Sequence, residues 1–279
     1  MDKSKLKRIA RFIFLGIPQY NIHVDVKPNI SGKQLLNKNI IITGGSRGIG
    51  FAIAERCIAE GANVLICGKS EANLLKASSA LGSKCQTLCF DLANIEYLSE
   101  FVDNCFKKFD NRVDALVNNA GISFHEGTIN NVTIEGFSKQ FDVNFKASYF
   151  LAKYFVEKLT SLNRIEGSNM LFLSSERGSF NEEIPYGLSK TTVNSLVGAL
   201  GKKLVSKGMR VNAIAPGVTA SDMTGNAIDG NYYSETSPCK RIFHPAEMAE
   251  VACFLLSDAS SCISGEIIHC DTGKHLIKI

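Results

Sequence analysis

The segment Asn39-Ile40-Ile41-Ile42-Thr43-Gly44-Gly45-Ser46-Arg47-Gly48-Ile49-Gly50 decides the fold. Three consecutive isoleucines are typical of a strand buried on both faces of a parallel sheet. The glycines that follow allow a tight turn that Cβ atoms would obstruct. Residues 51–60 then have a helical pattern that ends at Gly61. A strand, a glycine turn and a helix N-terminus together form a pyrophosphate site, because free backbone N–H groups and the positive end of the helix dipole face the anion.

The alternation of strand and helix continues to the C-terminus. We predict further strands at 63–67, 85–90, 113–117, 169–175, 210–215 and 265–270. Helices are predicted at 70–81, around 98–106, at 133–155, 186–204 and 245–256. Residues 219–243 have no sustained period. This order predicts an α/β fold, a single Rossmann-type doubly wound parallel sheet with helices on both faces.

Composition excludes several classes of protein. The hydrophobic share of 45% is ordinary for a globular chain, and no apolar run is long enough to span a bilayer. Residues 1–40 contain eight Lys or Arg and two Asp, so the remainder of this +4 chain carries about −2. A nucleic-acid partner is therefore not expected. The nine cysteines are scattered without paired CxxC motifs, which predicts no metal site and reduced thiols in a cytoplasmic protein.

The basic N-terminus sets residues 1–37 apart from a catalytic domain at 38–279. Leu6, Ile9, Ile13 and Ile17 fall on one stripe of a helix predicted within residues 1–18. This helix could pack on the domain or on a partner subunit, or it could make weak contact with a membrane surface. The lack of a small-x-small cleavage site and the nine cysteines argue against a signal peptide.

Tyr186 and Lys190 are the strongest candidates for proton transfer. Four residues apart on a helix, they share one face. A free phenol has a pKa of ~10, and a nearby cation lowers it by favouring the phenolate. Such a pair can give and take a proton at a carbonyl or alcohol oxygen.

Several motifs in order make residues 38–273 resemble the short-chain dehydrogenase/reductase family. They are the turn Thr43-Gly44-xxx-Gly48-Ile49-Gly50, Asp91, Asn118-Asn119-Ala120-Gly121, Asn144, Ser175 with Tyr186 and Lys190, Pro216-Gly217-Val218-Thr219, and the strand at 263–273. The resemblance implies that Tyr186 is the general acid in reduction and the general base in oxidation. It implies that Lys190 lowers the Tyr186 pKa and holds the nicotinamide ribose, that Ser175 hydrogen-bonds the substrate oxygen, and that Asn144 holds a water in a proton relay.

The same resemblance implies a set of cofactor-binding residues. They are Gly44, Ser46, Arg47, Gly48, Ile49, Gly50, Lys69, Asp91, Leu92, Asn118, Ala120, Gly121, Tyr186, Lys190, Pro216, Gly217 and Thr219. Two features depart from the family pattern. Ser175 precedes Tyr186 by 11 residues, about two fewer than in relatives, although Gly178 keeps the S-x-x-G register. Asp271-Thr272-Gly273 also replaces the commoner Asp-Gly-Gly.

The residues after the second strand favour NADP(H) as cofactor. NAD-dependent enzymes usually place a carboxylate there, on the ribose 2′-hydroxyl. Here that place holds Gly68-Lys69, and Arg47 lies in the glycine turn. Two cations and no acid suit a 2′-phosphate, although both could simply be solvated surface charges.

The substrate is a small-molecule carbonyl or alcohol whose pocket we expect at Phe124, His125 and Glu176. The closest overall resemblance is to bacterial 3-oxoacyl-carrier-protein reductases, but nearby acids suit a polar, sugar-like ketone equally well. His125 could alternatively be a second base. Since the helices after the fourth and fifth strands pair across a twofold axis in this family, we expect a homodimer or homotetramer. The alternative functions are a non-catalytic NADP(H)-binding regulator and a membrane- or partner-associated scaffold.

Overall fold

The computed structural model describes residues 21–25 and 31–276. The amphipathic helix predicted within residues 1–18 lies outside the described residues. Among the helices of the described part, none is long and apolar enough to cross a membrane.

Seven parallel strands form one sheet in the order β3-β2-β1-β4-β5-β6-β7. The strands are β1 (Asn39–Thr43), β2 (Asn63–Gly68), β3 (Cys85–Cys89), β4 (Ala115–Asn118), β5 (Asn169–Leu173), β6 (Arg210–Pro216) and β7 (Ile267–Cys270). Strand β1 lies between β2 and β4, with Ile40 in register with Val64 on one side and Ala115 on the other. The strand order reverses there, so a ligand crevice opens at the carboxyl ends of β1 and β4. The predicted fold class is confirmed.

Helices cover both faces of the sheet. They are α1 (Gly48–Ala59), α2 (Glu71–Leu81), α3 (Leu98–Lys107), α4 (Ile134–Phe141), α5 (Ala147–Ser161), α6 (Pro185–Leu204) and α7 (Pro245–Leu256). Their ends follow local chemistry. The hydroxyl of Ser70 accepts a hydrogen bond from the backbone N–H of Asn73, and Gly82 ends α2 with a positive φ of 81°. Pro245 occupies the first turn of α7, where its missing N–H costs nothing.

Two apolar cores lie on opposite faces of the sheet. Phe106, Phe155 and Val197 represent the core under α3, α5 and α6. Ile53 and Met248 represent the core under α1 and α7. Burial on both faces explains why β1 has an uninterrupted apolar sequence.

The helix predicted over 133–155 is interrupted. A π-helical turn at Asp142–Lys146 separates α4 from α5, and α5 continues to Ser161. A π turn adds one residue to an otherwise α-helical ladder. The apolar spacing on its two sides did not reveal the extra residue.

Glu60 fixes the chain that leads into β1. Its carboxylate is fully buried and accepts hydrogen bonds from the backbone N–H groups of Ser31, Lys33 and Gln34 and from the side chains of Ser31 and Gln34. Arg56, one turn earlier on α1, donates to it at 2.7 Å. Burial raises the pKa of Glu60, but the hydrogen bonds from Arg56, Ser31 and Gln34 outweigh it and lower the pKa to about 2.

The segment 219–243 is irregular, as its lack of period predicted. Tyr232 and Ile242 form a small apolar cluster there. Ile22 and Val24, which belong to the N-terminal arm (described here at residues 21–25), pack against it. The backbone N–H of Tyr232 donates to the carbonyl of Ile22 at 3.1 Å. The arm therefore contacts this segment directly.

Candidate active site

Gly44, Gly45 and Gly50 of the glycine turn have no space for a side chain. Gly44 and Gly48 have φ of +64° and +56°. A Cβ on Gly50 would lie 2.4 Å from Nδ2 of Asn119, and one on Gly45 would lie 2.7 Å from Cγ2 of Ile66. Arg47 precedes α1 without a side-chain cap, so the first N–H groups of the helix remain available to an anion. Ser46 lies beside the end of β2, and Ile49 packs against the core under α1.

Asn119 holds the turn against β4, a role that the sequence analysis missed. Its Nδ2 donates to the carbonyls of Thr43 (2.9 Å) and Gly44 (3.0 Å). The Thr43 hydroxyl accepts from the backbone N–H groups of Asn119 and Ala120. The preceding Asn118 is buried, and neither polar atom of its side chain has a partner among the described residues. The doubled asparagine after a buried strand was the available signal.

The predicted phosphate-binding cations lie at the surface. Arg47 forms an ion pair with Asp222 at 2.9 Å, with side chains 67% and 73% exposed. Lys69 is exposed at the end of β2, and a Cβ on Gly68 would meet nothing closer than 3.8 Å. Asp91 is exposed after β3, where it accepts from the N–H of Ala93, and the adjacent Leu92 is buried.

Ser175, Tyr186 and Lys190 lie together at the carboxyl end of β5. The Ser175 hydroxyl lies close enough to the partly buried Tyr186 to lower the pKa of its phenol. Lys190 is buried, and its Nζ lies 5.7 Å from the centre of the Tyr186 ring and donates to the carbonyl of Leu173 at 2.7 Å. The predicted 11-residue spacing thus places the serine hydroxyl beside the phenol.

Asn144 reaches the same place from the π turn. Its Oδ1 accepts from the N–H of Ile122 at 2.8 Å, and its Nδ2 donates to the carbonyl of Ile122 and to Oγ of Ser189. A Cβ on Gly121 would lie 3.4 Å from Oδ1 of Asn144 and 3.5 Å from Nζ of Lys190. Asn144 and Lys190 therefore meet beside Gly121.

The expected lowering of the Tyr186 pKa is absent from this structure. Burial raises the pKa of Tyr186, and the Ser175 hydroxyl and the charge of Arg177 only partly oppose it. Burial also lowers the pKa of Lys190 to about 8.

The loop after β6 closes the crevice from the other side. Pro216 is the last residue of β6, one residue beyond the predicted end of the strand. A Cβ on Gly217 would lie 2.8 Å from the ring of Phe243, so the position requires glycine. Thr219 is buried and donates to the carbonyl of Gly217 at 2.9 Å.

Two of the three predicted substrate residues line one cavity. Phe124 and His125 border a space of about 520 Å³ that also includes Glu126, Asn131 and Lys139. The ring of His125 donates to the carbonyl of Met223 at 2.8 Å, which joins this loop to the segment after β6. Glu176 does not line this cavity. It is buried and forms an ion pair with Lys274.

Comparison with known proteins decides the family. The family model for enoyl-(acyl carrier protein) reductase matches residues 44–275. The 3-oxoacyl-[acyl-carrier-protein] reductase FabG of Chlamydia trachomatis is 33% identical over 245 residues, which cover 86% of this chain and 98% of that protein. This chain is a short-chain dehydrogenase/reductase.

Other family members widen the range of activities. Bovine L-fucose dehydrogenase is 30% identical over 250 residues, covering 85% of this chain and 89% of that one. The crystal structure of 3-ketoacyl-(acyl-carrier-protein) reductase from Brucella melitensis complexed with NADH superimposes with a TM-score of 0.77 at 25% identity, over 86% of this chain and 99% of that chain.

The residues of this short-chain dehydrogenase/reductase fit a nicotinamide dinucleotide. The bare glycine turn, the uncapped start of α1 and the unpartnered amide of Asn118 lie at the carboxyl ends of β1 and β4, where this class of cofactor binds. The departure at Asp271-Thr272-Gly273 has a structural consequence. Thr272 has φ of 53°, a conformation that costs a β-branched residue energy and that glycine adopts freely.

Proposed function

We propose that this protein is an NADP(H)-dependent oxidoreductase that interconverts a carbonyl and a secondary alcohol, with Tyr186 as general acid or base. The observation that carries the proposal is that Ser175, Tyr186 and Lys190 lie together at the carboxyl end of β5, while Lys190 and Asn144 meet beside Gly121.

Each side chain has a distinct part in this reaction. The bound nicotinamide supplies or accepts the hydride. In reduction, the Ser175 hydroxyl donates to the substrate oxygen and stabilises its developing charge, and Tyr186 delivers the proton. The raised pKa of Tyr186 keeps the phenol protonated at neutral pH, as an acid requires. Lys190 holds the ribose, and Asn144 fixes the loop through Ile122.

Tyr186→Phe tests the mechanism because it removes only the proton donor. We expect turnover to be abolished and NADPH affinity to be nearly unchanged, since the ring makes no phosphate contact. Tyr97→Phe, at an exposed tyrosine, is the matched control and should retain turnover. NADPH oxidation followed by absorbance measures both. Wild-type turnover by Tyr186→Phe would refute the mechanism and would leave a non-catalytic role open.

The preference for NADPH rests on Lys69 and Arg47. A 2′-phosphate would compete with Asp222 for Arg47, and an exposed ion pair costs at most about 1 kcal/mol to break. Charged hydrogen bonds to the phosphate contribute about 1.5–3 kcal/mol. We therefore expect NADPH to bind more tightly than NADH.

Lys69→Asp should remove about 1–3 kcal/mol of this preference, which is a factor of about 5–150 in the ratio of dissociation constants. Lys76→Asp makes the same charge change on the exposed face of α2 and should leave the ratio unchanged. Gly68→Asp should lower the preference for NADPH in the same way, because a side chain at this position has room. Equal wild-type affinities for NADPH and NADH would contradict the assignment, and the NADH complex of the Brucella relative makes that comparison necessary.

Two substrate classes remain in the proposal. The carrier-protein reductase relatives favour a 3-oxoacyl thioester, and the L-fucose dehydrogenase relative favours a polar sugar. A screen that offers acyl thioesters beside sugar-derived ketones decides between them.

The remaining proposals concern the setting of the reaction. We propose a homodimer or homotetramer, and a monomer by light scattering at micromolar concentration would contradict it.

All nine cysteines are free thiols, which supports a reducing compartment such as the cytoplasm. Residues 1–37 remain a proposed N-terminal extension, within which residues 1–18 either pack on the domain or on a partner subunit or make weak contact with a membrane surface. Binding to anionic vesicles, lost on removal of residues 1–18, tests the membrane contact.

A further inference from the structure

Glu176 is a buried carboxylate that the reaction described above does not use. It follows Ser175 directly and is 4% exposed. Its Oε1 accepts from Nζ of Lys274 at 2.6 Å. Its Oε2 is buried without a partner among the described residues and would lie 3.1 Å from a Cβ on Gly217. The side chain therefore lies between the turn that follows Ser175 and the loop after β6.

The C-terminal segment, residues 269–275, holds this turn at its other end as well. The hydroxyl of Ser179 is hydrogen-bonded to Nε2 of His269 at 2.7 Å. The His269 ring stacks on His275 with centroids 3.7 Å apart, and His275 is hydrogen-bonded to the Asp271 carboxylate. Both ends of the turn Glu176–Ser179 thus depend on one segment about 90 residues later in the chain.

Charge is concentrated around this contact. Lys274 and Asp271 face Glu176 from the C-terminal segment, and Arg177 faces it from its own turn. Tyr186, on α6, is close enough to respond to the charges of Glu176 and Arg177. A negative charge here opposes formation of the Tyr186 phenolate, and Lys274 offsets that charge.

We propose that Glu176 and Lys274 are a positioning pair for the catalytic residues: the ion pair fixes the turn that carries Ser175 and balances the charge beside Tyr186. The proposal rests on the proposed role of Tyr186 in proton transfer. Lys274 itself touches neither Ser175 nor Tyr186 in the contacts described, so its effect is exerted through Glu176.

Charge balance predicts opposite effects from the two single substitutions. Lys274→Met leaves the Glu176 carboxylate uncompensated, so the Tyr186 pKa rises and the alkaline limb of the oxidation pH–rate profile moves up. Glu176→Gln leaves the Lys274 cation, so the limb moves down. Each shift should be about 0.5–1 pH unit. The double variant restores neutrality, and its limb should return towards the wild-type position.

The control is Lys158→Met, which breaks a partly buried ion pair with Asp103 between α3 and α5. It should leave the limb in place. A direct titration of the Tyr186 phenol by absorbance, as the difference between each variant and the same variant carrying Tyr186→Phe, needs no substrate. It therefore gives an answer even if the proposed reaction fails.

Opposite shifts with restoration in the double variant support the positioning pair. Shifts of the same sign, or no shift in either single variant, overturn it. If Lys274→Met does not fold, Glu176→Gln and the double variant still decide: a downward shift that the second substitution reverses supports the pair, and a shift that persists unchanged refutes it.

Discussion

The buried ammonium of Lys190 should make the protein's stability depend on pH in a defined way. Lys190 is 4% exposed, and burial lowers its pKa from 10.5 to about 8. Between these values the unfolded chain holds a proton that the folded chain has released. Stability therefore rises with pH across this window, and the penalty is complete below about pH 8. The difference in pKa corresponds to about 3 kcal/mol.

Lys190→Met removes this titration and keeps much of the side-chain volume. The free energy of unfolding of the wild type, minus that of the variant, should increase by about 2–3 kcal/mol between about pH 7 and pH 10. Urea unfolding at several pH values measures this difference, with Lys158→Met as the control for loss of a lysine outside the crevice. The variant should also lose turnover, because the ribose is less well held. Parallel pH profiles for wild type and Lys190→Met would refute the reasoning.

Two further predictions concern stability. Glu60→Gln should cost about 1–3 kcal/mol in urea unfolding at neutral pH, because it removes the charged acceptor of several buried N–H donors and one of the two carboxylates that pair with Arg56, the other being Glu250. Glu55→Gln on the exposed face of α1 should cost little. Since the Glu60 pKa is lowered to about 2, this contribution should be lost as pH falls from about 4.5 towards 2, and a profile that is flat there relative to Glu60→Gln would contradict it. Thr272→Gly should stabilise the protein by about 1 kcal/mol by relieving the positive φ, and an unchanged urea midpoint would count against that strain.

Strong periodicity made most of the fold predictable. Helix α7 has the predicted bounds, Pro245–Leu256, because proline marks its first turn and its apolar residues pack on one side. Strand β1 was equally clear from its isoleucines. Strand boundaries moved by a residue or two, as at Pro216, because sheet pairing rather than local preference decides where a strand ends. The helix predicted to end at 155 continues six residues further, to Ser161.

Side-chain partners far apart in sequence were not predictable. Glu60 looked like the end of an amphipathic helix, and only the folded chain brings residues 31–34 to its carboxylate. Glu176 was expected in the pocket wall, but in the folded chain it is buried and forms an ion pair with Lys274. Spacing predicted which residues carry the proposed chemistry. The electrostatic environment that raises the Tyr186 pKa depends on burial, which spacing does not report.

The π turn at Asp142–Lys146 couples the orientation of Asn144 to the packing of α5, because the extra residue sets the rotation of one relative to the other. Each residue of an α-helix advances the side chains by about 100°. Deleting the extra residue would leave Asn144 facing Ile122 only if Leu151, Phe155 and Leu159, all buried against the sheet, rotated by that angle. Keeping those three in the core would instead rotate Asn144 away. The burial of the apolar face of α5 therefore stabilises the orientation of Asn144.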